Sequence, residues 1–483
     1  MSAPSFAPVP VGVASGPVRP DRRARTVLVI AGLLSLAYGI QVLIDISRPK
    51  LGGQHQPLIG LLDERVPTAI RATFWCYLAS LAVVLIVGLI GLALVRGAVD
   101  SRQRAWRTRV VQLVMAAVLV VPFSPYPISL LWDHADYAIV CVPSTVFALW
   151  LVHRMQRYRH LPVRMLIAAF VWGGLIGTGF GGNLTVWISD YYGNYVKDSS
   201  FHQLTSWLLL SAGVFEELGK GAGVAILYIL YRRYFDNVVS GIVVGAAVGL
   251  GFNLFESVEY LSAADGLASA QQYWARQSLG LMGAHVAFTA AIGAGFGVAR
   301  QARRAQDGRL VIACGFVLAM AAHFANDVFI RSYGEYKENW FSPSSLVDVV
   351  VLEPLLFIVL QGPFVLLYLL LWRAGLKAQR AGLAAELPAE ARSGAVAPDE
   401  VEVLLHPERR FYLRMQALFR HGLLGYVALG RLFDAQLDLG AQRWHRSRDE
   451  VDEWAPDESA LRERVRQRRA DWDRLAQRQA VPA

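Results

Sequence analysis

Seven ionisable or hydrogen-bonding side chains lie in stretches of this chain that are otherwise apolar enough to cross a bilayer. Glu216, Glu217 and Lys220 follow Ser211-Ala-Gly-Val-Phe. Glu256 ends the run Gly251-Phe-Asn-Leu-Phe. His285 sits among small residues, and His323 and Asp327 are four apart in His-Phe-Ala-Asn-Asp. Such groups are costly in hydrocarbon, rare there, and read as functional by default. Glu216 and Lys220, four apart, share a helix face and can pair. Adjacent carboxylates beside an ammonium in a low dielectric suit proton transfer. Asp327 can orient the imidazole of His323, and Phe252 places an aromatic wall beside Glu256.

The chemistry these groups suit is activation of water. One carboxylate takes the proton, and the histidines stabilise an oxyanion or donate to a leaving amine. The same set could hold zinc through Glu256, His285 and His323, with one position open. The metal-free and zinc routes both remain open at this level. The soluble zinc-protease pattern His-Glu-x-x-His is absent. Either route is hydrolysis, with a peptide bond presented from the membrane as the fitting substrate. An ion pair that only fastens helices is the bland reading of each motif alone. A proton- or ion-coupled transporter using the same Glu/His/Lys cluster is the rival function.

These residues need helices to carry them. The chain has 483 residues, 54% hydrophobic and 18% charged, with a mean hydropathy of +0.36. About ten stretches reach the roughly 20 residues a bilayer span needs: 26–46, 72–95, 110–132, 137–152, 165–189, 204–231, 238–258, 279–299, 310–330 and 346–372. The expected fold is an all-α polytopic membrane protein with a small helical cytosolic tail. The fifth span is glycine-rich from Gly173 to Gly182, which suits close helix packing. Cys76, Cys141 and Cys314 share no ligand spacing and read as buried thiols.

The net charge of +9 is a topology signal, not a nucleic-acid footprint. Arginines crowd alternate loops, at 96–109, 154–164, 232–233 and 300–309. By the positive-inside rule these face the cytoplasm, as do both termini. Anionic lipid headgroups are their expected partner. Counting about 1.5 Å per residue from the opposite face, His285 and His323 lie on the order of 9 Å deep, Glu256 shallower and Glu216 deeper. Four spans thus bring polar groups to one extracytoplasmic level.

The domain plan is a disordered tail (1–25), accessory spans (26–200), a protease-like core (201–373), a flexible linker (374–398) and a cytosolic helical tail (399–483). His406-Pro407-Glu408 marks a helix start, and Arg410 to Asp434 and Ser459 to Gln477 read as helices.

The segment from Phe201 to Ile330 resembles the PrsW family of intramembrane proteases, distant relatives of the type II CAAX prenyl endopeptidases. The resemblance rests on Glu216-Glu217-x-x-Lys220, on Gly249-Leu-Gly-Phe-Asn-Leu-Phe-Glu256, on Ala284-His285-Val-Ala-Phe-Thr289 and on His323-x-x-x-Asp327. It implies a peptidase in a bacterial cytoplasmic membrane, glutamic-type or zinc-dependent, cutting a membrane-anchored protein such as an anti-sigma factor. Glu216 and Glu217 would supply the general base. Glu256, His285 and His323 would complete the catalytic or metal set, supported by Lys220 and Asp327. Relatives often carry Asn where Ser257 stands, and His-x-x-x-Asn in the last motif.

Overall fold

The computed structural model describes residues 22–46, 68–185, 201–340, 346–451 and 455–478. The expected tail, apart from Arg22 to Arg25, and much of the loop after the fifth span lie outside them. Among the described residues every regular element is helical. In chain order they are α1 (Arg22–Ile46), α2 (Thr68–Arg96), α3 (Ser101–Val120), α4 (Pro125–Asp133) and α5 (Ala135–Arg154). Then come α6 (Val163–Thr185), α7 (Phe201–Leu230), α8 (Val238–Ser262), α9 (Leu267–Tyr273), α10 (Ala284–Ala299) and α11 (Ala305–Trp340). The last are α12 (Glu353–Arg392), α13 (Pro398–Leu405), α14 (Pro407–Ser447) and α15 (Glu458–Arg478).

Nine stretches among the described residues are long and apolar enough to span a membrane; α7, 30 residues long, is not one of them by composition, because it carries Glu216, Glu217 and Lys220. The third span begins earlier than its sequence suggests. It ends at Val120, where Pro122, Pro125 and Pro127 break the ladder and set the short α4 apart.

α8 is the axis of the bundle, with every residue from Val238 to Phe255 buried. Its glycines make this possible. A methyl group on Gly241 would overlap the carbonyl of Gly293 in α10, and one on Gly251 would overlap that of Phe170 in α6. The backbones therefore touch, as small-residue stripes allow in membranes. The peripheral helices α2 and α5 keep most of their surface outward, with Leu85, Leu89, Ile139 and Phe147 exposed. In a bilayer that outer surface meets lipid. Two cysteines follow this rule: Cys141 is buried, but Cys76 and Cys314 lie on outer helix faces.

The segment expected as a flexible linker is helical. α12 runs unbroken to Arg392, through Pro388. Leu383 and Leu387, four apart, are buried in a second apolar core with Leu404, Leu432, Phe433 and Leu439. Alanine, leucine, glutamate and arginine dominate this stretch and favour helix, and the buried pair gives it a surface to pack on. The tail is therefore a packed unit, and it seats on the arginine-rich end of the bundle. Arg159 bridges Asp236 at 2.6 Å and Asp438 at 2.9 Å. Asn237 Nδ2 donates to the carbonyl of Gly375 at 2.8 Å, and Trp372 Nε1 to that of Met155 at 2.8 Å.

Candidate functional site

The other end of the bundle holds a cavity of about 640 Å³, lined by the C-terminal parts of α6, α8 and α11 and the N-terminal parts of α10 and α12. Glu216, Glu256, His285, His323 and Asp327 line it. The spans that the sequence placed at one depth thus meet in one chamber.

α10 explains how His285 reaches it. With 16 residues it rises only about 24 Å, short of the ~30 Å hydrocarbon core. Its second residue is His285. The preceding turn, Gly280 to Gly283, is non-helical. Such backbone is tolerated at membrane depth only where protein or a watery cavity receives it, and here it borders the cavity and packs on Gln361. A Cβ on Gly249 of α8 would lie 2.5 Å from the carbonyl oxygen of His285. That glycine lets α10 sit low enough to present the imidazole. Gly181 of α6 does the same for Glu216, whose Cα would be 2.8 Å from any Cβ placed there.

The polar groups form a connected network. Lys220 Nζ donates to Glu217 Oε1 at 2.8 Å and lies 3.4 Å from Glu216 Oε2. It also lies 3.0 Å from His285 Nδ1 and 3.5 Å above the Phe252 ring. Glu217 is fully enclosed. It accepts from Thr289 Oγ1 at 3.2 Å and pairs with His323 Nδ1 at 3.0 Å. His323 turns its Nε2 to Glu216 Oε2 at 3.7 Å and Asp327 Oδ2 at 3.4 Å. His285 Nε2 is hydrogen-bonded to Glu256, which also accepts from Arg276 at 2.8 Å. The two imidazoles stand 5.0 Å apart, edge to face.

All seven expected residues are brought together, but not in equal standing. Glu216 reaches the cavity and Glu217 lies behind it. Arg276 was not legible as part of the site. The stretch from Tyr260 to Ser278 reads as a loop poor in basic residues. Instead α9 continues through a wider π-type turn, Trp274–Leu279, which carries Arg276 over the Tyr260 ring at 3.5 Å and onto Glu256. Its signal is the sequence Tyr-Trp-Ala-Arg-Gln, an aromatic pair of the kind that marks a membrane interface. Tyr126 of α4 donates to Glu259 at 2.8 Å, fixing the rim. Ser257 faces away from the cavity: it is fully buried and accepts from Gln277 Nε2 at 2.8 Å.

The metal question turns on donors. The three side chains that converge are Glu216, His285 and His323, each offering one atom within 4.8 Å of the others. The expected set had Glu256 in place of Glu216. Behind His323, Glu217 makes the carboxylate–imidazole pair typical of metal ligands. His285 fits less well. An ammonium can only donate, so Lys220 makes Nδ1 the acceptor. Nε2 then carries the proton and gives it to Glu256. Both ring nitrogens are committed, leaving no lone pair for a metal in this arrangement. Spacing alone suggests a site; hydrogen bonding argues that His285 does not ligate, and the donor chemistry is the stricter test.

Residues 161–359 match the family described as PrsW family intramembrane metalloprotease. That segment holds every site residue named above, Tyr126 and Gln361 excepted, and bears out the resemblance read from the four motifs. The match supports intramembrane proteolysis as the class of activity and an integral membrane location. No curated protein and no solved structure matches the chain.

Proposed function

We propose that the chain is an intramembrane endopeptidase in which Glu216 activates water against a peptide bond of a membrane-anchored protein. The observation that carries this reading is the division of labour between neighbours. Glu216 faces the cavity beside two imidazoles, while Glu217 is enclosed and paired with Lys220, His323 and Thr289.

In the step we envisage, Glu216 accepts a proton from water as the oxygen bonds to the carbonyl carbon. The carbonyl electrons move to its oxygen, and the imidazolium of His323, its Nδ1–H held by Glu217, stabilises that charge through Nε2–H. Collapse breaks the C–N bond, and Glu216 returns the proton to the leaving amine. Arg276 and His285 hold Glu256, which keeps one wall of the chamber polar. No step is routed through a metal, because His285 is engaged by Lys220 and Glu256.

The cavity opens at the end away from the arginine-rich loops, so the positive-inside rule supports cleavage toward the extracytoplasmic side, with both termini in the cytoplasm. A single-span protein such as an anti-sigma factor is the substrate class in keeping with the family. A transporter would need a polar path to the other end. Among the described residues that region is filled by Ile242, Val243, Val244, Ala247 and Ile292.

The test is cleavage of a single-span substrate in liposomes. Glu216→Gln should abolish it with the melting temperature retained, and a chelator should leave the wild type active. Full activity in Glu216→Gln would sink the general-base role. One zinc per chain, lost and regained with activity, would overturn the metal-free route.

A further inference from the structure

α14 is not one straight helix. Gly422 interrupts it with φ 66° and ψ −168°, a left-handed conformation open to glycine. The two halves fold back on each other: the Arg414 guanidinium lies 4.1 Å from the centre of the Tyr426 ring, and a Cβ on Gly430 would be 2.8 Å from Arg414 Cζ. The result is a helical hairpin with Gly422 at its apex. Around the apex Phe419, Leu423 and Leu424 are exposed by 82%, 69% and 70%. Phe411 and Tyr412 on the first arm are exposed as well.

The direction of the hairpin follows from its contacts. Along the second arm and just beyond its end, Asp438 meets Arg159, His445 meets Asp236 at 2.9 Å, and the Glu450 carbonyl meets Arg300. These three partners sit in or beside the α5–α6, α7–α8 and α10–α11 connections, all on the arginine-rich end. A helix that touches three such loops in turn runs across that face rather than away from it. The first arm starts at the same edge, where Arg410 donates to the carbonyls of Arg157 and Leu404. From Asp438 back to Leu423 is 15 residues, roughly 22 Å of helix. Asp434 still meets His160 in the α5–α6 connection, and the arm continued in the same line would carry the apex beyond that connection, toward the leaflet surface on the arginine-rich side.

Charge names the occupant. Residues 409–433 contain five arginines and no acidic residue; Arg410 is buried against carbonyls and Arg409 pairs with Glu402, while Arg420 and Arg431 are exposed on either side of the tip. An apolar tip flanked by arginines suits the interface of an anionic leaflet. We propose that this hairpin is a membrane-surface anchor, with Phe419, Leu423 and Leu424 seated among the lipids of the leaflet on the arginine-rich side.

The test uses the full chain in nanodiscs, with Cys76, Cys141 and Cys314 replaced by alanine and a polarity-sensitive fluorophore on Phe419→Cys. Its emission should shift to the blue and be quenched by brominated lipid, more so with phosphatidylglycerol than with phosphatidylcholine. The same label on Arg466→Cys, an exposed position of α15, should report water. Leu424→Cys gives a second reading if the first variant folds poorly. Water-like emission at the tip in both lipids would overturn the proposal. So would a shielded label that lipid does not quench, or a disulfide between two Phe419→Cys chains, which would make a protein or a second copy the occupant.

Discussion

His323 Nδ1 lies 3.0 Å from Glu217 Oε1, a contact between α11 and α7 that fixes which edge of the imidazole faces the cavity. In the proposed mechanism Glu217 therefore acts through His323, as a positioning residue. Outer partners of this kind are typically worth about 10–100-fold. Glu217→Gln should lower kcat by that order and leave KM close to wild type. Glu216→Gln should leave no measurable cleavage. Equal losses in both variants would remove the distinction drawn here.

Lys220 has no exposed surface, and two carboxylates lie within 3.4 Å of it. Breaking a buried pair by removing one partner costs about 3–5 kcal/mol, because the remaining charge is stranded. Lys220→Met should lower the unfolding midpoint accordingly. Adding Glu217→Gln should recover part of the loss, since the stranded carboxylate is then neutral. Additive destabilisation in the double variant would mean the two residues do not form a unit.

Gly249→Ala drives a methyl group against the His285 carbonyl, where backbone cannot yield as a side chain does. Overpacking of this kind costs about 1–3 kcal/mol, and the shift of α10 should reduce cleavage further than stability alone predicts. Gly32→Ala is the control: nothing lies within 4 Å of the added carbon. Activity per folded molecule separates the two effects.

The tail should release on the alkaline side. His445 lies between Asp236 at 2.9 Å and Glu450 at 3.0 Å. Burial alone would lower its pKa, but hydrogen bonds to Asp236 and Glu450 and the Asp236 charge outweigh burial, with Arg300 opposing, and hold it above the ordinary value. Arg159 shares the Asp236 carboxylate from the α5–α6 connection. A raised folded-state value means that the stabilisation is complete below the unfolded pKa of about 6.5 and lost as pH rises through the folded one. Hydrogen exchange across residues 438–450 should quicken between mildly acidic and alkaline buffer, and His445→Gln should flatten that dependence. A flat profile in the wild type would remove the role of the imidazole.

Much of the site is legible because hydrocarbon makes polar groups conspicuous. Glu216, Glu256, His285 and His323 stand out against apolar neighbours, and arginine placement separates the two ends of the bundle. Arg276 is illegible for the converse reason. It sits in a polar stretch where a charge costs nothing visible, and only the return of α9 toward α8 brings it to Glu256. The order among neighbours is hidden too. Glu216 and Glu217 differ by one step around α7, and which of them meets the cavity depends on Gly181 and on the packing of α6. The linker misleads because its alanine-rich composition fits a flexible coil as well as a helix. Leu383 and Leu387 decide it, and their partners lie in α14.

The backbone contact between α8 and α10 has a mechanical consequence. At Gly241, Gly245 and Gly249 no side chain separates the two helices, so they move as one stiff strut. Glu256 and His285 ride together on that strut, while Glu216, Glu217 and Lys220 ride on α7. The Lys220 ammonium, touching Glu217 on one body and His285 on the other, is the latch across the gap between them, and His323 on α11 closes the chamber from a third side.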